Sequence, residues 1–114
     1  MSISVKEKYF NTRDEALLEI SNAGLFPLEM FVTPVKNSSH WHDFSTLIFI
    51  VEGELKITDI EMQKTLIAGP GSRVTVPERT LHAEESALGY RIIAGMSVDP
   101  ASLTGDVDLS PDRI

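Results

Sequence analysis

The chain has 114 residues, which suits one domain with a single hydrophobic core and is too short for two ordinary domains. It contains no cysteine, which excludes disulfide scaffolds, thiolate zinc sites, iron–sulfur clusters and cysteine nucleophiles. Its 10 basic and 17 acidic side chains give a formal net charge of −7, and a surface that acidic repels phosphate backbones, so we expect no nucleic-acid partner.

Helix signals occur once, in the N-terminal segment 1–25. Thr12 and Glu15 have the spacing of a capping box, and apolar residues then recur on one side, which predicts a short helix from Arg13 to Asn22. This segment lacks a basic stretch followed by a long apolar run, the pattern of a signal peptide. Because no apolar run approaches the roughly 20 residues of a membrane helix, we expect a cytoplasmic protein without a membrane partner.

Residues 26–98 have the pattern of an all-β barrel. Short strands bounded by Gly, Pro and polar turns are typical of an antiparallel sandwich or barrel. The first strand contains Pro27 and Pro34, which places it near a sheet edge. Residues 99–114 are expected to form an irregular acidic tail of the same single domain. The predicted strands cover 26–35, 43–51, 54–58, 64–68, 73–76, 81–85 and 89–96.

The three histidines of the chain form a candidate metal site. His40 and His42 are two residues apart, so on a strand their side chains lie on one face, about 6–7 Å apart. Two imidazoles at this spacing can reach one ion, and His82 from another strand would complete the set. A bare His-x-His pattern also occurs on protein surfaces, so spacing alone leaves the site open.

The region around His40 and His42 resembles the first sequence motif of the cupin family. That motif has a glycine, five residues, His-x-His, a glutamate after three or four residues, and a closing glycine after six more. Here Pro34 stands at the first glycine, Thr46 at the glutamate and Gly53 at the closing glycine. The carboxylate ligand of the family motif is therefore missing.

The region around His82 resembles the second cupin motif, in which a glycine, a proline and a second glycine precede a histidine and an asparagine. Gly71, Pro77 and His82 match this motif, whereas Arg79 replaces the inner glycine and Ser86 the asparagine. The resemblance covers about residues 28–96, and all three histidines fall on the family's metal-ligand positions.

The resemblance implies a jelly-roll β-barrel with a divalent metal, iron(II), zinc, nickel or manganese, held in its mouth by the three histidines. Three neutral ligands leave the 2+ charge uncompensated, so the site would attract a small anionic or chelating molecule. Cupins with three-histidine iron(II) sites include thiol, gentisate-type and diketone-cleaving dioxygenases, which makes a dioxygenase the first functional hypothesis. A non-catalytic metal-binding, ligand-binding or sensory cupin, and a sugar or keto-acid isomerase, remain open alternatives.

Five further residues are candidates for the pocket around this metal. Thr46 shares the inward parity of His42 and could hold a metal-bound water. Glu84 shares the parity of His82, and it either reaches the ion or its water, or lies solvated beyond the mouth. Arg79 and Arg91 could bind an acidic substrate. Tyr90 and Arg91 have opposite parity on the last strand, so at most one of them points inward.

An outward-facing apolar stripe, Leu47, Phe49 and Val51, follows from the same alternation. An isolated small barrel would not normally expose it, so the N-terminal helix, a second sheet or another subunit must cover it. Because cupins commonly dimerise, the resemblance favours a homodimer.

Overall fold

The structure is a computed structural model that describes residues 2–105 and 107–113. One α-helix, α1 (Arg13–Asn22), agrees with its predicted bounds, and two 3-10 turns, Pro100–Ser102 and Pro111–Arg113, lie in the tail. The described strands are β1 (Ser4–Lys6), β2 (Phe26–Val32), β3 (Val35–Lys36), β4 (Thr46–Gly53), β5 (Leu55–Asp59), β6 (Lys64–Ala68), β7 (Arg73–Val76), β8 (His82–Ser86) and β9 (Tyr90–Met96).

The strands form two antiparallel sheets that pack face to face. The larger sheet has the order β1-β7-β4-β9-β2 and the smaller one β3-β8-β5-β6. This arrangement confirms the predicted all-β antiparallel fold with one short helix. The strand predicted over 26–35 is two strands in different sheets, because the chain leaves β2 before Pro34 and continues as β3. Its first part, which contains Pro27, lies at a sheet edge as expected.

The main core lies between the two sheets. Along β4, Ile48 and Ile50 face inward and pack against Val74 of β7 and Ile92 of β9. Ile57 of β5 closes the cluster from the smaller sheet and is fully buried. The prediction of which side chains of β4 face inward is therefore correct. The same face of this segment is the one predicted to carry the histidines.

A second apolar cluster lies on the outer face of the larger sheet, under α1. Phe49 is fully buried there against Phe10, Ala16 and Ile20, with Leu47 and Val51 partly buried beside it. The N-terminal helix therefore covers the apolar stripe of Leu47, Phe49 and Val51. Another subunit was one of the covers considered for this stripe. Homodimerisation stays a prediction, and this stripe no longer supports it.

The close approach of the helix depends on one small residue of β9. A Cβ atom at Gly95 would lie 2.8 Å from Ile20 Cγ1, so a larger side chain would push the helix away from the sheet. The helix itself begins at a regular cap, since the Thr12 side chain accepts the Glu15 N–H at 3.2 Å. Within the described residues, no helix combines the length and apolar character needed to cross a membrane.

Both ends of the chain are tied to the barrel. Ser4–Lys6 pairs with β7 and extends the larger sheet. The tail returns to the first histidine region, where the backbone N–H groups of Trp41 and Leu109 each donate to the other residue's carbonyl at 3.1 and 2.9 Å. The Trp41 indole N–H also donates to the Ser110 carbonyl at 2.8 Å. The tail thus lies across the segment that carries His40 and His42.

Candidate metal centre

The structure brings the three histidines together at one end of the barrel. His40 and His82 face each other across an antiparallel bridge, each backbone N–H donating to the other's carbonyl at 2.9 Å. One ring nitrogen from each of the three histidines lies within 4.8 Å of the others. His40 and His82 are buried, and the His42 side chain is 15% exposed, so the cluster opens toward solvent on the His42 side.

Each imidazole is oriented by a main-chain carbonyl. The Nδ1 atoms of His40 and His82 lie 2.8 and 2.7 Å from the carbonyl oxygens of Ser38 and Thr80, each two residues earlier. His42 Nδ1 lies 2.9 Å from the Val107 carbonyl oxygen in the tail. A carbonyl can only accept, so in the neutral rings the proton sits on Nδ1 and the Nε2 lone pair is free.

This donor set fits a divalent transition metal. Neutral imidazoles with free Nε2 lone pairs suit iron, zinc and nickel, and backbone acceptors on the opposite ring nitrogens are the usual support of metal-binding histidines. The histidines chosen from the sequence are the ones that the fold brings together.

Glu84 lies beside His40 and His82. Its Oε1 atom is 3.4 Å from His40 Nε2 and 3.9 Å from His82 Nε2, and its side chain is only 16% exposed. Of the two orientations considered for Glu84, the side chain adopts the one that points to the histidine cluster and not to solvent. Burial raises the pKa of Glu84, but the contact with His40 and the nearby His82 outweigh it, so the net pKa is lowered and the carboxylate stays ionised.

Two polar side chains hold the Glu84 carboxylate in place. The Asn37 side-chain N–H donates to Oε1 at 3.4 Å, and its oxygen accepts the Glu84 backbone N–H at 2.6 Å. The Tyr90 hydroxyl donates to the other oxygen, Oε2, at 3.3 Å. Burial together with the carboxylate raises the pKa of Tyr90, so this phenol stays protonated and acts as a donor.

The protonation of the two buried histidines differs. The contact with Glu84 raises the pKa of His40 despite its burial. Burial lowers the pKa of His82, which is 2% exposed and surrounded by the other two imidazoles. In the absence of metal, a proton therefore enters the cluster first at His40.

Tyr90 and Arg91 lie on opposite faces of the sheet, because neighbouring side chains alternate along β9. Tyr90 is the one that points inward, whereas Arg91 is exposed on the outer face, with its guanidinium 5.7 Å from the ring centre of Phe31. Arg91 is therefore remote from the histidines and cannot bind a ligand there. Thr46 is half-buried at the start of β4, between Val76 and Met96 of the neighbouring strands.

Arg79 reaches the site through its backbone. Its N–H donates to the His42 carbonyl at 2.8 Å, and its exposed side chain lies over Trp41, 6.0 Å from the ring centre. Its φ of 59° lies in the left-handed region that favours glycine. This backbone conformation explains why the second cupin motif has a glycine at the position of Arg79.

The tail supplies contacts that the sequence did not indicate. The Val107 carbonyl orients His42, and the Asp108 carboxylate lies 3.6 Å from His42 Nδ1 and 3.9 Å from His40 Nε2. The Asp108 side chain is 60% exposed, so the histidines contact one largely enclosed carboxylate, Glu84 with 16% exposure, and one solvent-facing carboxylate. No local pattern marked Val107, Asp108 or Asn37, because their proximity to the histidines comes entirely from the fold.

Solved structures share this architecture. The chain is similar to a DUF861 family protein from Thermotoga maritima (TM-score 0.55, 18% identity, 81% of this chain and 96% of that chain). It is also similar to the WlaRB TDP-quinovose 3,4-ketoisomerase from Campylobacter jejuni (TM-score 0.60, 12% identity, 76% and 71% covered). A third similar structure is an RmlC-like cupin from Shewanella frigidimarina (TM-score 0.55, 18% identity, 69% and 71% covered).

These likenesses show that the chain has the cupin fold, as its motifs indicated. No protein-family model matches the sequence, and no curated protein is similar to it. At such low identities the neighbours establish the fold alone, so the function has to be argued from the residues of the site.

Proposed function

We propose that this protein is a metal-dependent cupin in which His40, His42 and His82 bind one divalent ion, and that it acts as an iron(II) dioxygenase on a small anionic or chelating substrate. The observation that carries the proposal is the set of three Nδ1-to-carbonyl contacts at 2.7–2.9 Å. They leave the three Nε2 lone pairs free, and one ring nitrogen of each histidine lies within 4.8 Å of the other two, close enough to share a metal ion.

A divalent ion would supply Lewis acidity and, as iron(II), a redox centre through which electrons of the substrate could pass to dioxygen. The protein residues orient and enclose the reaction. Burial of His40 and His82 excludes water from the interior side, and the more exposed His42 side is where a substrate enters.

The test is metal analysis followed by oxygen uptake. Protein purified without added metal is expected to retain about one ion per chain, and anaerobically iron-loaded protein to consume dioxygen with a thiol, a diketone or a hydroxybenzoate. His40→Ala serves as the inactive control. Equal metal retention by the parent and by all three histidine-to-alanine variants would contradict the proposal.

A second function is supported by the contact between Glu84 and Tyr90. A half-buried carboxylate that accepts a hydrogen bond from a phenol is suited to move a proton next to a polarised carbonyl, as a sugar or keto-acid isomerase requires. The similar Campylobacter protein is named a ketoisomerase. Exchange of a substrate proton with deuterated solvent, without dioxygen uptake, would favour this function over the dioxygenase.

A non-catalytic role is distinguished by the same assays. A binding or sensory protein would be stabilised by its small ligand with any of the metals, and would show neither product nor proton exchange. The dioxygenase and isomerase hypotheses also assign different roles to Glu84, which makes the position of that carboxylate the next question.

A further inference from the structure

We propose that Glu84 is the fourth protein ligand of the metal ion, so that the carboxylate missing at Thr46 is supplied from the opposite sheet. Thr46 begins β4 of the larger sheet, whereas Glu84 lies in β8 of the smaller one. The inference rests on the proposed function, since it presupposes that the three histidines bind an ion.

The distances fit ligands of one ion. Nitrogen and oxygen ligands lie about 2.1 Å from zinc, so two of them are about 3.4 Å apart in a tetrahedron and about 3.0 Å apart at right angles. Glu84 Oε1 lies 3.4 Å from His40 Nε2 and 3.9 Å from His82 Nε2. An ion placed among the histidines would therefore have this oxygen within reach after only small side-chain adjustments.

An ordinary hydrogen bond accounts for the contact less well. His40 Nδ1 already donates to the Ser38 carbonyl, so the Nε2 atom of the neutral ring is an acceptor that faces another acceptor. A charge-assisted N–H···O bond is also shorter, about 2.7–2.9 Å. A cation between the two atoms removes the conflict, because both the lone pair and the carboxylate oxygen can then bind it.

The surroundings of Glu84 leave one oxygen for the ion. Oε2 accepts from Tyr90, and the Asn37 amide bonds both the Glu84 backbone N–H and, at 3.4 Å, Oε1. Such contacts to the second oxygen and to the backbone are the usual support of a monodentate carboxylate ligand. Because Glu84 is only 16% exposed, water does not compete easily for its place.

Four protein ligands change what the site can bind. The carboxylate reduces the charge of the site from 2+ to 1+, and a six-coordinate ion keeps two positions for a chelating substrate or for a substrate and dioxygen. A tetrahedral zinc ion would instead be saturated by the protein. The inference therefore favours a six-coordinate metal for catalysis.

The experiment is titration of the metal-free protein with Co²⁺, monitored by visible absorption, and with Zn²⁺ in competition with a chelator. The parent is compared with Glu84→Gln, which keeps the shape of the side chain, and with Glu84→Asp, which keeps its charge but withdraws the oxygens. Glu85→Gln is the matched control on the same strand, since its side chain has the opposite parity. Circular dichroism verifies that each variant is folded.

We expect Glu84→Gln and Glu84→Asp to bind both metals at least about tenfold more weakly, with a changed Co²⁺ spectrum, and Glu85→Gln to match the parent. Weaker binding with an unchanged spectrum would overturn the inference, because Glu84 would then act only through charge. Unchanged binding would overturn it too, while the three-histidine site would stand. If His82→Ala also bound like the parent, the proposed function itself would fail.

Discussion

The two halves of the histidine cluster are built in different ways. His40 and His82 are oriented by carbonyls two residues earlier, and they bridge each other across the barrel. His42 is oriented by the Val107 carbonyl, 65 residues later in the chain. One half is therefore a property of the barrel alone, whereas the other depends on the docking of the tail.

The histidine cluster therefore has one part that the barrel fixes and one part that depends on the tail. The tail is held near His42 by the two backbone bonds between Trp41 and Leu109 and by the indole bond to Ser110. Every described residue of the tail, 99–105 and 107–113, is exposed or only half-buried. Backbone bonds with little buried apolar surface open more easily than a barrel core. Loss of the tail would leave two imidazoles with their carbonyl partners and one, His42, without it.

The largest expected effect comes from removing a ligand of either half. Four-ligand zinc sites bind with about 10–16 kcal/mol, or about 3 kcal/mol per ligand, so His82→Ala and His42→Ala should each weaken metal binding about 100-fold. Only His82→Ala should also destabilise the metal-free protein, by about 2 kcal/mol, because His82 is buried and His42 is not. Metal titration and thermal unfolding without metal check both parts. Equal loss of stability in the two variants would contradict the comparison.

The next largest effect is expected from undocking the tail with Leu109→Pro. Proline lacks the N–H that donates to the Trp41 carbonyl at 2.9 Å, so the bridge opens and His42 loses the Val107 carbonyl. Metal affinity should fall about 10–100-fold, as for other lost supports of metal ligands. Thr104→Ala is the matched control in the same tail, since the Thr104 side chain is exposed and lies outside the Trp41–Leu109 bridge.

The same variant has an optical readout, because Trp41 is the single tryptophan and is 7% exposed. Release of the tail should shift its emission to longer wavelength. A red-shifted emission together with unchanged metal affinity would show that the tail does not support the site.

A smaller effect distinguishes the two buried histidines by pH. In metal-free protein, NMR titration should show His40 protonating at higher pH than His82, because Glu84 raises the pKa of His40 whereas burial lowers that of His82. His40 then contributes stability that is full below the unfolded pKa of about 6.5 and is lost as the pH rises through its folded pKa. His82 has the opposite pH dependence. The stability linked to its neutral ring is present above about pH 6.5 and is lost as the pH falls. The reverse order of titration would contradict the described geometry.

In the metal-bound protein, protons compete with the ion for the same Nε2 lone pairs. Metal affinity should therefore fall as the pH drops below about 6. Titrations at several pH values measure this loss, and a pH-independent affinity would argue against imidazole ligands.

The smallest expected effect concerns the second backbone bond to His42. Arg79 donates its N–H to the His42 carbonyl from a left-handed conformation with φ of 59°. Arg79→Gly keeps the N–H and relieves a strain of about 1–2 kcal/mol, partly offset by the greater freedom of glycine in the unfolded chain. Thermal unfolding should show a gain of about 0.5–1 kcal/mol with unchanged metal affinity. A loss of stability would show that the Arg79 side chain over Trp41 matters more than its backbone.

Several features of this protein were determined by the sequence alone. The capping box at Thr12 predicted α1, and the alternation along β4 predicted which residues face the core. These are local patterns whose period of two or 3.6 residues follows from backbone geometry. The spacing of His40, His42 and His82 within the two motifs indicated the site, because those spacings are set by strands and turns.

The remaining features depend on packing between distant parts of the chain. Parity placed Glu84 on the inner face but could not show whether it met the histidines, since that depends on how the two sheets approach each other. Parity likewise could not decide whether Tyr90 or Arg91 points inward. The register of β9 in the sheet decides this in favour of Tyr90. The helix rather than another subunit covers Phe49, and the tail returns to His42, because contacts between distant segments depend on packing and not on local pattern.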